Sequence, residues 1–134
     1  MTQAENIRAL IEYRVGQAGE ALREAVLLQE AGHFRGAINR AYYAMFYAVQ
    51  ALIIRSQEKI SKHSGAIAFF DKNYIKTGIF GKDFSKWLHQ VFDLRQDADY
   101  GTMSTPSAID TAEALAHATE FVRSVGTIAL EEKA

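Results

Sequence analysis

The apolar positions of this chain recur at steps of three and four residues along most of its length, which is the period of an α-helix. Near the N-terminus one such stripe consists of Ile7, Ile11, Ala18, Leu22 and Ala25. We therefore predict a first helix from about Ala4 to Ala31. Gly32 is expected to end it, since glycine readily adopts the left-handed conformation that follows many helices.

A second helix is predicted from about Phe34 to Ser56, and it should be central. Its core-facing stripe consists of Phe34, Ile38, Ala41, Met45, Val49 and Leu52. A shorter third helix is predicted at about Ser64 to Tyr74. The segment KTGIFGKD follows it, and its two glycines are typical of a loop.

The last third of the chain predicts two more helices. Asp83 is expected to cap a fourth helix that extends to about Asp99 and stops at Gly101. Proline is tolerated in the first turn of a helix, so a fifth helix should begin at Ser104 or Thr105 with Pro106 and end near Leu130. Short connections between long helices favour antiparallel neighbours. The expected fold is a single all-α domain, residues 1–134, built as an up-and-down bundle of four main helices plus a short one.

Composition narrows the class of protein. Hydrophobic residues make up 49% of the chain, yet no apolar run approaches the length of a membrane span. The N-terminal segment lacks the basic start and apolar block of a signal peptide, and cysteine is absent, so we expect a cytoplasmic protein without disulfides.

Charge is unevenly distributed along the chain. The net charge of -1 argues against a protein that binds nucleic acid with its whole surface, but residues 33–62 carry five basic residues and one acidic residue. Arg55, Lys59 and Lys62 either complement a helix C-terminus or belong to an anion-facing patch. The sequence leaves both explanations open.

The side of the second helix opposite its core stripe does not resemble a solvated face. It carries Asn39, Arg40, Tyr43, Phe46, Tyr47, Gln50 and Ile54. Aromatic and amide side chains of this kind suit a protein interface or a ligand site. Burial beneath other helices of the same bundle explains them equally well.

On the fourth helix, Arg95 interrupts an apolar stripe formed by Phe84, Leu88 and Val91. An inward guanidinium keeps its charge and needs a partner, and Asp99 lies one helical turn further on. The pair is either a structural ion pair or part of a site. The sequence alone does not separate these two hypotheses.

Signatures of common enzymes are missing. None of the four histidines, His33, His63, His89 and His117, has metal-ligand spacing to another histidine or to a carboxylate pair. Phosphate-binding glycine loops and a nucleophile elbow are also absent. We expect no metal and no cofactor, and we interpret His63 as a residue that helps to start the third helix.

Four sequence blocks together resemble the HEPN domain superfamily, and in particular its small bacterial and archaeal members of the UPF0332 type. The blocks are AINRAYYAMFYAVQALI (Ala37–Ile53), KHSG, IKTGIFGKDFSKWL and LRQDADYG (Leu94–Gly101). The resemblance implies a helical bundle that is commonly dimeric. It also implies a partner, since such proteins are often made alongside a minimal nucleotidyltransferase in a toxin-antitoxin arrangement.

Many members of this superfamily are metal-independent ribonucleases that use an arginine followed a few residues later by a histidine. By resemblance, Arg95 occupies the arginine position, but Tyr100 stands where the histidine is expected. Cleavage through a ribose hydroxyl benefits from a group that exchanges protons near neutral pH, and an ordinary tyrosine titrates far higher, near ~10. The departure argues for phosphate recognition more than for cleavage.

The hypothesis that follows is a nucleotide- or RNA-binding protein that forms a homodimer and partners a minimal nucleotidyltransferase. Its binding residues would be Arg95, Arg40, Asn39, Tyr43 and Tyr100. One alternative is an endoribonuclease toxin whose candidate catalytic residues are Arg95, Asp99 and Tyr100. Another is a purely structural dimeric interaction module, with Tyr43 and Tyr47 in the seam between protomers.

Overall fold

The computed structural model describes residues 2–101 and 105–132, apart from the side chains of residues 100 and 101. These residues form five α-helices and no strand, which confirms the predicted all-α bundle. The helices are α1 (Gln3–Glu30), α2 (Phe34–Ser56), α3 (His63–Phe70), α4 (Lys82–Gln96) and α5 (Ala108–Leu130). Two π-helical turns extend α3 and α4, at Asp71–Ile75 and Asp97–Gly101 respectively.

Helix α2 is central, as predicted, and packs against α1, α3, α4 and α5. Every residue of its predicted core stripe is buried except Phe34, which is half-buried. Alanines that are almost fully buried occur on both α1 and α2: Ala18, Ala21, Ala25, Ala37, Ala41, Ala44, Ala48 and Ala51. Small side chains of this kind allow the axes of two helices to approach closely. The α1–α2 pair is accordingly the most extensive helix contact in the described chain.

The turn between α1 and α2 is a Schellman motif. Gly32 has a φ of 80°, the amide of Gly32 donates to the carbonyl of Gln29, and the amide of His33 donates to the carbonyl of Leu28 at 2.8 Å. These bonds satisfy carbonyls that the end of a helix leaves without partners. The prediction that Gly32 ends the first helix is confirmed.

Two predicted boundaries are wrong. Asp83 does not cap α4, because Gly81 occupies the N-cap and Asp83 lies in the first turn, where its carboxylate still complements the helix dipole. Helix α5 begins after Ser107, whose hydroxyl accepts a hydrogen bond from the amide of Asp110, so Pro106 precedes the helix. Ser104 lies outside the described residues. The bounds predicted for the third helix, about Ser64 to Tyr74, agree with a helical stretch that is α-helical to Phe70 and continues as a π turn to Ile75.

Aromatic side chains fill the part of the core between α3, α4 and α5. Phe70 lies 5.1 Å from Phe121 and 5.8 Å from Phe80 between ring centroids, and Phe80 in turn stacks on Phe84 at 4.8 Å. This packing holds α4 against the bundle and so positions the C-terminal end of that helix. Within the described ranges, no helix combines the length and the apolar character required to span a membrane.

Candidate functional site

Arg95 points inward at the end of α4, as its place in the apolar stripe predicts. Only 12% of its side chain is exposed, and its Nε lies 2.9 Å from Oδ2 of Asp99, whose side chain is 22% exposed. The predicted Arg95–Asp99 ion pair is therefore present. It spans the junction at which α4 widens into the π turn, so it ties the orientation of the arginine to that turn.

Two neighbouring tyrosines of α2 surround the guanidinium. The Nη2 group of Arg95 donates to the hydroxyl of Tyr43 at 3.3 Å. The Cζ atom lies 5.4 Å from the centroid of the Tyr43 ring and 5.6 Å from that of Tyr42. A cation this close to an aromatic face is stabilised by the ring quadrupole, more so when water is excluded. Arg95 is thus held by a carboxylate, a hydroxyl and two rings.

Asn39 also joins this cluster, whereas Arg40 is directed elsewhere. The Asn39 amide donates to the same Oδ2 of Asp99, at 3.4 Å. Arg40 lies over Tyr43, with Cζ 5.2 Å from the ring centroid, but its guanidinium pairs with Glu24 of α1 at 3.4 Å. The structure therefore brings Asn39, Tyr43 and Asp99 to Arg95, and places Arg40 beside Tyr43 with a carboxylate of its own.

Tyr100 belongs to the second π turn, but its side chain lies outside the described residues. Its expected role next to Arg95 stays a prediction. The same turn makes a contact that the sequence did not suggest, because the Arg35 side chain donates to the backbone carbonyl of Ala98. Arg35, near the start of α2, thereby fixes the turn that carries Asp99.

The rest of the aromatic face of α2 is neither sealed nor fully solvated. Phe46 is buried, while Tyr47, Gln50 and Ile54 are half-buried like Asn39 and Tyr43. Burial within the bundle therefore explains part of this face, and an interface or ligand site on the accessible part stays a prediction. Other elements of the bundle cover much of it, and polar parts of it remain accessible.

His63 is the residue of this site that sequence reasoning missed. It is the first residue of α3, and its ring stacks on Phe46 with centroids 4.1 Å apart and planes 7° apart. Its Nδ1 lies 2.8 Å from the hydroxyl of Tyr42, and its centroid lies 5.7 Å from that of Tyr43, edge to face. No spacing rule connects a histidine here with an arginine on α4, because only the packing of α3 and α4 on α2 brings them together.

Tyr42 and His63 both have shifted pKa values. Burial lowers the pKa of His63 from its usual 6.5, and the positive charge of Arg95 lowers that pKa further. Burial raises the pKa of Tyr42 above its usual 10.0, although Arg95 acts in the opposite direction. At neutral pH His63 is therefore uncharged and Tyr42 keeps its proton. The Tyr42 hydroxyl has no other acceptor among the described residues, so we infer that it donates to Nδ1, which leaves the imidazole proton on Nε2.

The other histidines serve different contacts. His89 pairs through Nε2 with Asp71 at 2.8 Å, and Ser85 donates to the same carboxylate at 2.6 Å, so this trio ties α4 to the first π turn. His117 stacks on Trp87 with centroids 4.8 Å apart. Among the residues at 2–101 and 105–132, no three histidines or carboxylates are grouped so as to hold a metal ion.

Comparison with known proteins places the chain in a family. The HEPN domain model matches residues 11–129. A UPF0332 protein of Thermotoga maritima is 39% identical over 94 residues, which are 70% of this chain and 71% of that protein. Two putative toxins of Methanocaldococcus jannaschii are 35% and 31% identical, over 73% and 67% of this chain and over 70% and 61% of their own lengths. The chain therefore belongs to the HEPN domain family, among its UPF0332-like members.

Proposed function

We propose that this chain is a toxin-type HEPN protein that binds a nucleotide or RNA through Arg95. The observation that carries the proposal is the arginine itself, which α4 directs into a half-buried cluster with Tyr43, Asn39 and Asp99. A fixed guanidinium recognises phosphate and carboxylate through the same fork of N–H donors. Asp99 thus holds the place that a phosphate group would take, and the ligand either displaces it or joins it.

Nearby groups support an anionic, ring-bearing ligand. Arg35 and Arg40 place two more cations at the same end of α2, and Asn39 adds an amide. Tyr43 is half-buried, so part of its side chain is accessible to a base. Asp99 and Glu24 offset two of the three positive charges, which favours a ligand with few phosphates at the site over a long stretch of nucleic-acid backbone.

The family suggests the assembly. Two relatives carry the name putative toxin, and HEPN proteins often occur with a minimal nucleotidyltransferase. We propose that this chain forms a homodimer and that a minimal nucleotidyltransferase is its partner. Light scattering of the purified chain tests the dimer. Co-purification with the product of an adjacent nucleotidyltransferase gene tests the partner.

Calorimetric titration with AMP and with a short oligoadenylate RNA tests the binding site. Wild type should bind at least one probe, and Arg95→Ala should weaken that binding by roughly tenfold or more, the loss expected for a charge-assisted hydrogen bond. Arg123→Ala is the matched control, since it removes an exposed arginine of α5 that is paired only locally with Glu120. Equal affinity of wild type and Arg95→Ala would remove Arg95 from the site.

A second candidate function is a metal-independent endoribonuclease, the activity that the resemblance to HEPN ribonucleases implies for an arginine at the position of Arg95. Its test is incubation of the pure protein with RNA in the presence of EDTA. Cleavage products that disappear in Arg95→Ala, Asp99→Asn or Tyr100→Phe would establish it. Intact RNA at high protein concentration would exclude the endoribonuclease. If binding still depended on Arg95, the binding function would be the one that remains.

A further inference from the structure

One polar atom of His63 makes no hydrogen bond to the described part of the fold. The Nδ1 atom of His63 is engaged by Tyr42 and one face of the ring is covered by Phe46. Its Nε2 makes no hydrogen bond to the described part of the chain. This atom is also not one of the fully buried polar atoms that lack a hydrogen bond. The imidazole is half-buried overall. Its Nε2 therefore reaches solvent at the surface of the cluster.

The ring that carries this atom shares its aromatic neighbours with Arg95. His63 and Arg95 contact the same two rings: the imidazole centroid is 5.6 Å from Tyr42 and 5.7 Å from Tyr43, and the guanidinium Cζ is 5.6 Å and 5.4 Å from them. Because the Tyr42 hydroxyl occupies Nδ1, the accessible Nε2 carries a proton and donates. Two adjacent groups that only donate select an acceptor with several oxygens, and phosphate is the common ligand of that kind.

We propose that His63 is a ligand-contacting residue whose Nε2–H donates to a phosphate oxygen of the nucleotide or RNA bound at Arg95. This inference rests on the proposed function and adds a second contact to it. In this arrangement His63 acts as a neutral donor. Its hydrogen bond orients the phosphate group. A neutral imidazole does this without placing a second buried positive charge next to Arg95, which would be costly.

Tyr42 is then a positioning residue. Its side chain is fully buried and does not reach the ligand, but its hydroxyl determines which ring nitrogen of His63 carries the proton. Tyr42→Phe removes that hydroxyl and keeps the ring. Nitrogen-15 spectra of the imidazole should show one tautomer, protonated on Nε2, in wild type and a mixture of tautomers in Tyr42→Phe. A merely structural hydroxyl would leave the ratio of tautomers unchanged.

The binding test compares AMP, oligoadenylate RNA and adenosine, which lacks the phosphate. His63→Phe keeps the stack on Phe46 and removes both nitrogens, and it should weaken binding of the phosphate-bearing probes by about tenfold while changing adenosine binding little. His117→Phe is the matched control, because it alters a ring-stacked histidine of α5. Should His63→Phe fold poorly with the Tyr42 hydroxyl left unpaired, the double variant Tyr42→Phe/His63→Phe removes both polar groups together.

The outcomes separate the two proposals. Loss of binding in Arg95→Ala and in the His63 variants, with His117→Phe unchanged, supports the inference. Loss in Arg95→Ala together with wild-type affinity in the His63 variants overturns the inference and leaves the proposed function standing. If wild type binds none of the probes, or if Arg95→Ala binds as wild type does, the proposed function fails and the inference fails with it. In wild type, the Nε2 resonance of His63 should shift on addition of AMP; an unshifted resonance at saturation would overturn the inference directly.

Discussion

His63 and Arg95 lie against the same pair of tyrosine rings, although α3 and α4 present them from different parts of the chain. Tyr42 hydrogen-bonds to His63 at 2.8 Å, and Tyr43 accepts a hydrogen bond from Arg95 at 3.3 Å. Adjacent residues of one helix therefore hold the two candidate ligand contacts in place. The site depends on α2 as a scaffold more than on any local sequence motif.

We expect Arg95→Ala to lower the free energy of unfolding by about 2–3 kcal/mol. The substitution leaves Asp99 without its cation and empties the space between two tyrosines, and the partial exposure of Asp99 keeps the cost below that of a fully buried pair. Urea denaturation measures the change. Arg123→Ala removes an exposed ion pair on α5 and should lower the free energy of unfolding by less than about 0.5 kcal/mol. Similar stabilities for both variants would contradict a structural contribution of Arg95.

Asp99→Asn should act in opposite directions on binding and on stability. Loss of the carboxylate removes the group that competes with a phosphate for Arg95, so AMP or RNA affinity should rise by roughly three- to tenfold while the protein becomes less stable. Calorimetric titration and urea denaturation measure the two effects. Asp93→Asn changes an exposed carboxylate on the same helix and should leave affinity unchanged. Weaker binding in Asp99→Asn would mean that the carboxylate contacts the ligand favourably or orients Arg95 for it.

The lowered pKa of His63 predicts a pH dependence of stability. The unfolded chain takes up a proton on this histidine at about pH 6.5, before the folded chain does, because burial and Arg95 oppose protonation in the fold. The free energy of unfolding is therefore higher above that pH. It decreases as the pH falls from about 6.5 toward the lower pKa of His63 in the folded chain. In Tyr42→Phe/His63→Phe this loss should be absent.

Denaturation of wild type and double variant at several pH values, under one ionic strength, provides the measurement. Subtracting the two curves isolates His63, since the other histidines are common to both proteins. At acidic and neutral pH, the gap between the curves should change only below about pH 6.5. A difference that is constant with pH would show that His63 titrates alike in the folded and unfolded chains.

Two glycines of the α1 region should respond to alanine with opposite signs. Gly32 has a φ of 80°, where a side chain is strained, so Gly32→Ala should destabilise the fold by about 1 kcal/mol. Gly16 lies in the middle of α1 with open space around its Cα, so Gly16→Ala should stabilise by about 0.5–1 kcal/mol. Thermal unfolding of the two variants checks both. A stabilised Gly32→Ala would argue against the Schellman turn.

The sequence predictions are accurate where a feature depends on residues close together in the chain. The bounds of α2, Phe34–Ser56, are confirmed because its apolar period and the turn at Gly32 act within a few residues. The start of α5 was wrong because hydroxyl side chains stand on both sides of Pro106, and capping preference alone does not choose between Thr105 and Ser107. The inward Arg95 and its pairing with Asp99 were predicted correctly, since both lie on one helical face.

The sequence by itself determined the helical class, the core faces of α1, α2 and α4, the Arg95–Asp99 pair and the likeness to the HEPN family. All of these depend on helical period, on neighbouring residues or on recognisable blocks. Only the tertiary structure decided that His63 joins Arg95, that Asn39 reaches Asp99 and that Arg40 turns to Glu24. These contacts cross between helices, and they exist because the close packing of α1, α3 and α4 around α2 sets distances that no local pattern encodes.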